Sequence, residues 1–187
     1  MNTTTQAVVD EIFALFDLYG DDSYGEEVTQ LEHMVQSAEL AEEEGYDEEV
    51  IIAAFLHDIG HLYAKSLSPE TFGEYGAADH DRIGAEFLRT RGFSEKVAAL
   101  VEGHVAAKRY LTFTEPGYLE ELSEASKKTL EMQGGVMTEA EAEAFEASQW
   151  FKLSLRMRYW DEAAKEIGMD TPDTSYLRDM MARVLGE

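Results

Sequence analysis

A chain of 187 residues with 39 acidic against 15 basic side chains has a formal net charge of −24, which disfavours nucleic acid and anionic membrane surfaces as partners because long-range repulsion opposes both. The length suits one compact domain with a sizeable core, and the substrate is expected to be small. Without cysteine there is no disulfide framework, and any metal site has to use nitrogen and oxygen ligands.

The opening Met1-Asn2-Thr3-Thr4-Thr5 has no basic stretch leading into an apolar run, and no apolar stretch is long enough to span a bilayer, so a cytoplasmic protein is expected. Gly, Asp, Ser and Thr signals then separate amphipathic runs, and period-two alternation is scarce, so the expected fold class is all-α in a single domain over residues 1–187. The pattern predicts helices over 5–18, 27–44, 47–60, 77–91, 94–110, 123–132, 138–166 and 173–185. Gly45 ends the second, Asp47 can cap the third, Ser94 the fifth, and Thr138 with Glu141 matches a capping box. Pro69 to Gly76 and Thr112 to Gly117 read as loops, and Gly134-Gly135 breaks the chain before the long helix.

The chemistry-bearing residues sit on these runs. His33, beside Leu31, Met34, Val35 and Ala38, reads on its own as a core or surface histidine more readily than as a ligand. His57 and Asp58 follow Ile51 to Leu56, a stretch so apolar that the Asp58 carboxylate wants a cation beside it; a bridge between two metals would supply that. His61, four residues on, shares a face with His57 if the helix runs through Gly60, or is a helix-end histidine. His80, His104 and Asp161 are unremarkable singly, yet with the others they make a nitrogen and oxygen set that suits iron, manganese or zinc. Lys108 lies one turn after His104, and Arg158 three residues before Asp161 offers a planar donor fork for an oxyanion. Surface ion pairing is the alternative for these cations and for Arg109 and Arg156.

His33, His57-Asp58 and Asp161 form the H…HD…D pattern of HD-domain metalloproteins. The segments Gln30 to His33, His57 to His61, Glu102 to Leu111, Gln133 to Gly135 and Trp160-Asp161 together resemble the phosphonate-degrading HD-domain oxygenases, which are mixed-valent diiron enzymes. The resemblance implies an HD-domain helical bundle with two iron ions, Fe(II)/Fe(III). His33, His57, Asp58 and Asp161 would hold one and His80, His104 and bridging Asp58 the other. It places His61, Lys108, Ser126, Gln133 and Arg158 around the phosphonate, and implies oxygen-dependent C–P cleavage of a 1-hydroxyalkylphosphonate. An upstream hydroxylase would supply that substrate through the pathway only.

Tyr24, Glu26 and Glu27 are the catalytic candidates, and they are expected near the substrate's amine. In the primary-amine pattern a tyrosine stands one residue further from the first ligand, where this chain has Ser23. Tyr24 with either glutamate, and Tyr159 or Tyr75 as further walls, suits a quaternary ammonium, which has no N–H to donate and prefers ring faces. The expected substrate is therefore 1-hydroxy-2-(trimethylammonio)ethylphosphonate, with the primary-amine analogue second. An HD phosphohydrolase needs only the first four ligands, and a metal-free HD-like module would have lost some of them.

Overall fold

The computed structural model describes residues 3–69, 73–168 and 173–186. Among them are eleven helices and no strand, as the all-α reading expects. The first, α1 (Thr3–Tyr19), is followed by α2 (Gln30–Glu43), which starts at a reciprocal Thr29/Glu32 capping box, three residues later than predicted. Asp47 caps α3 (Glu48–Phe55) by accepting the Val50 amide N–H.

The predicted helix 47–60 does not run straight. The Ile59 and His61 amides reach back three residues, to Leu56 and Asp58, and the His57 ring engages the Ala54 carbonyl at 2.8 Å. A turn at Leu56-His57-Asp58 therefore separates α3 from α4 (Ile59–Leu67), which extends beyond the predicted end. His57 accordingly lies in that turn and His61 in the first turn of α4, so the two do not share one helix face.

Next come α5 (His80–Thr90), α6 (Glu95–Thr114, capped by Ser94), the short α7 (Tyr118–Glu121) and α8 (Glu124–Met132, capped by Ser123). The loop expected at 112–117 shrinks because α6 runs through Thr114. Of the loop expected at 69–76, residues 70–72 lie outside the described residues.

The predicted helix 138–166 is two helices, α9 (Glu139–Glu146) and α10 (Phe151–Ala163). Ser148 Oγ accepts the Trp150 amide, which takes that N–H out of the helical ladder. The Phe145 and Phe151 rings close the bend edge to face at 5.2 Å, with Tyr110 against both. The last helix is α11 (Ser175–Gly186).

Helix α3 explains the uniform apolarity of residues 50–56. It packs against α2, α6, α10 and α11, so Val50 to Leu56 are buried on every side. Phe55 stacks on Phe16 of α1 at 4.9 Å. The site lies where α2, the 56–58 turn, α5, α6 and α10 converge on this core.

Glycine sets the approach of α4 to α5. A Cβ on Gly60 would stand 1.9 Å from the His80 carbonyl oxygen and 2.7 Å from the Gly84 nitrogen, both backbone atoms that cannot swing aside. Gly60→Ala is expected to lose roughly 1–3 kcal/mol of stability, the usual cost of overpacking, despite alanine's better helix propensity. Because His80 itself must move, metal binding at its end of the site should weaken as well. Urea unfolding and metal titration of the variant would check both, and a wild-type midpoint would show that the two helices can part freely.

Candidate metal centre

Four histidines converge from four places in the chain, each aimed by a backbone carbonyl. His33 Nδ1 lies 2.8 Å from the Ala164 oxygen, His57 Nδ1 2.8 Å from Ala54, His80 Nδ1 3.0 Å from Ala77 and His104 Nδ1 2.6 Å from Val101. A carbonyl only accepts, so each Nδ1 carries the proton and each Nε2 presents a lone pair inward. The Nε2 atoms then face one another in pairs, His33 with His57 at 3.1 Å and His80 with His104 at 3.0 Å. Two lone pairs at that separation repel unless a cation lies between them.

Asp58 lies between the two pairs. Its Oδ2 is 3.7 Å from His33 Nε2 and 3.6 Å from His57 Nε2, while its Oδ1 is 3.2 Å from His80 Nε2 and 3.5 Å from His104 Nε2. Asp161 Oδ1 joins the first pair at 3.3 and 3.8 Å. Ligands about 2.1 Å from one ion sit roughly 3–3.5 Å apart, so these spacings suit one cation on each side of Asp58. The donor set, all imidazole and carboxylate, fits a metal centre.

The protonation energetics agree. Burial would raise the Asp58 carboxyl, but the surrounding imidazoles, His57 foremost, hold it well below its usual range. For Asp161 burial is likewise outweighed, here chiefly by the Arg158 guanidinium. Burial takes His57 down to about 4, while in His33 burial's downward pull is more than offset by Asp161.

Five of the six donors, all but the fully buried His57, line a cavity together with Tyr24, Glu26, Tyr75, Lys108, Ser126, Thr129, Arg158 and Lys165. His61 is in its wall. It stands near Asp58 and His80, but its Nδ1 accepts the Ala77 amide at 3.0 Å and its ring stacks on His80 at 3.9 Å. Gly76 makes that fit possible, since a Cβ there would fall 2.2 Å from His61 Nδ1. Arg158 is buried, with Nε shared by Tyr118 and Glu162 and Nη1 given to Asp161. Its Nη2 has no protein partner, leaving a charged donor for an oxyanion. Ser126 lies at the start of α8, and Lys108 Nζ donates to Thr129 Oγ1 at 3.0 Å.

Other expected residues fall elsewhere. Glu27 is exposed and outside the cavity lining. Tyr159 is 37% exposed and donates to Glu115, so it is no wall of this cavity, whereas Tyr75 is. Gln133 caps the end of α8 with its side-chain amide buried and unpartnered, outside the lining. Arg109 and Arg156 pair with Glu141 and Glu44 at the surface. Thr129, Tyr118, Glu162 and Lys165 were not singled out in the sequence, where only the spacing of Thr129 from Ser126 gives a hint.

The HD-domain family pattern matches residues 31–139, a span that takes in five of the six donors and stops short of Asp161. The chain belongs to the HD-domain family. It is 41% identical over 184 residues to a [1-hydroxy-2-(trimethylamino)ethyl]phosphonate dioxygenase (glycine-betaine-forming) of Leisingera caerulea, covering 95% of this chain and 90% of that protein. It is 38% identical over 165 residues to a hydroxymethylphosphonate dioxygenase of Gimesia maris, covering 88% and 82%. An uncharacterized protein, L432, of Acanthamoeba polyphaga mimivirus is 37% identical over 190 residues, covering 100% and 87%. Among the described residues of this HD-domain protein no helix is long and apolar enough to cross a membrane.

Lys108 gives the cavity a pH signature. Burial, with Arg158 nearby, brings its ammonium down to about 7. An anionic ligand beside it favours the charged form, so binding a small oxyanion at pH 8 should take up a proton. Calorimetric titration in buffers of different ionisation enthalpy would measure that uptake, and Lys108→Met should abolish it. Equal uptake in the variant would assign the proton to another group.

Proposed function

We propose that this protein is a dioxygen-dependent enzyme that cleaves the C–P bond of a 1-hydroxyalkylphosphonate, with 1-hydroxy-2-(trimethylammonio)ethylphosphonate as its substrate and glycine betaine and phosphate as products. The observation that carries the reading is the pair of two-imidazole clusters divided by the two oxygens of Asp58, next to a buried unpaired Arg158 donor. The named relatives support the reaction class. A hydrolase built on the first four ligands leaves the His80–His104 pair without a purpose.

In this reading His33, His57, Asp58 and Asp161 hold one iron and Asp58, His80 and His104 the other. Imidazole with carboxylate suits iron, and a mixed-valent pair would supply the one-electron chemistry that dioxygen requires. The chain's own residues do the rest by position. Arg158 Nη2, Lys108 and Ser126 take the phosphonate oxygens, which fixes C1 against the donor cluster. Tyr24 and Tyr75 offer ring faces to the trimethylammonium, with Glu26 supplying charge. The Tyr24 ring is held for this, its hydroxyl donating to Asp22, which Lys65 grips at 2.6 Å. C1 loses its hydrogen and its phosphorus and reaches the carboxylate level. Dioxygen takes up the electrons released and its atoms complete the two products, so no external reductant enters.

The test is a joint one. Protein loaded with iron should consume oxygen and release phosphate in equal amounts from the trimethylammonio substrate, faster at low concentration than from 2-amino-1-hydroxyethylphosphonate or hydroxymethylphosphonate. Phosphate release without oxygen uptake would sink the oxidative reading. A reversed order among the substrates would move the choice of tail only.

A further inference from the structure

Glu26 is the one carboxylate lining the cavity, among the described residues, that is not in the donor cluster, and it is already engaged. Lys165 Nζ lies 2.6 Å from Glu26 Oε1, and the Ser123 hydroxyl donates to the same oxygen at 2.6 Å. Lys165 follows Ala164, whose carbonyl anchors His33, and Gln36 fixes the stretch by exchanging two hydrogen bonds with the Glu166 backbone, at 2.9 and 3.0 Å. The lysine is thereby planted at the end of α10 with its ammonium reaching the place where a cationic substrate tail would meet Glu26. We infer that Lys165 is a specificity-determining residue, an internal cation that occupies Glu26 in the empty enzyme and sets how strongly a charged tail is preferred over an uncharged one.

The inference rests on the proposed 1-hydroxyalkylphosphonate substrate. An ammonium tail arriving at Glu26 must share the carboxylate with Lys165 or displace it, and like charges at that range repel. A destination exists. Lys165 also lines a neighbouring cavity of about 200 Å³ whose wall includes Glu121 and Glu162, so its flexible stem can turn the ammonium toward other carboxylates. A tail without charge leaves the pair intact. Lys165 therefore taxes the cationic tail alone, while its positive charge aids every phosphonate equally.

The probe is a pair of equal shape: 1-hydroxy-2-(trimethylammonio)ethylphosphonate and its carbon isostere 1-hydroxy-3,3-dimethylbutylphosphonate. Their dissociation constants would be measured without oxygen on the metal-loaded protein, so the result does not depend on turnover. In Lys165→Met the preference for the charged ligand should rise about tenfold, the scale of one freed carboxylate in a partly desolvated site. In Glu26→Gln it should fall, and adding Lys165→Met to that variant should raise it by clearly less than the same change does in the wild type, because only the direct repulsion is then relieved. An unchanged preference in Lys165→Met, or an equal rise in the double variant, would overturn the assignment, as would failure of the wild type to bind either ligand. Where Lys165→Met does not fold, Lys165→Gln serves with the same expectation. Binding without turnover would defeat the oxidative reading and leave the preference to decide this one.

Discussion

Asp58→Ala is expected to bring the metal content of the purified protein close to zero, with no C–P cleavage detectable. Its two oxygens are the contacts common to both imidazole pairs, so the substitution takes a carboxylate from both halves at once, leaving the His80–His104 half with none and the His33–His57 half with Asp161 alone. Two like cations held a few ångströms apart repel steeply in a buried site, and a bridging carboxylate is what makes their joint occupancy tolerable. The apolar frame does not depend on this side chain, because α3 and α4 are anchored by Ile51 to Leu56, Ile59 and Leu62. Circular dichroism should therefore show wild-type helix content. His80→Ala makes the contrast: the His33–His57–Asp161 half keeps all its donors and should retain its metal while catalysis is lost. Elemental analysis of the two variants decides between a shared bridge and two independent sites, and full loading of Asp58→Ala would remove Asp58 from the centre.

The place of Asp58 and the nitrogen and oxygen character of the donors were legible in the sequence for a physical reason, while the grouping of His33, His80, His104 and Asp161 with it is what the resemblance implied. Five histidines are few, cysteine is absent, and a carboxylate at the end of an all-apolar helix has to find a cation. The helices with clear caps were legible too, and Asp47, Ser94 and Thr138 cap as their types and positions suggest. Periodicity could not show the turn at Leu56 to Asp58, because a helix buried on every side has no polar face whose phase would slip. The bend between α9 and α10 was hidden similarly, since it depends on the Ser148 hydroxyl and on rings brought together only by the fold. Directions of side chains on loops were the least legible. Glu26 and Glu27 are adjacent and chemically equal, yet only Glu26 faces the cavity, and Tyr75 rather than Tyr159 supplies the second ring. Lys165 and Thr129 carry no motif and gain meaning from what stands opposite them.

Arg158→Met is expected to be the most damaging change outside the ligands, with effects that separate on metal addition. The guanidinium is 3% exposed and is the cation that Asp161 Oδ2 and Glu162 both use. In metal-free protein its loss strands the buried Asp161 carboxylate, and breaking such a pair costs about 3–5 kcal/mol. A bound cation at His33, His57 and Asp161 would neutralise that same carboxylate, so the loss of stability should shrink when metal is present. Substrate binding gains no such relief, because the unpaired Nη2 donor is gone; a charged hydrogen bond of roughly 1.5–3 kcal/mol corresponds to a ten- to hundredfold rise in KM. Lys108→Met should weaken binding on the same scale without the stability loss, since burial of that ammonium is itself unfavourable and its pKa is already lowered to about 7. Urea unfolding with and without metal, beside KM for both variants, tests the division of labour. If Arg158→Met lost the same stability in both states and kept a wild-type KM, Arg158 would be a strut for α10 and the phosphonate would have to be held by Lys108 and the start of α8.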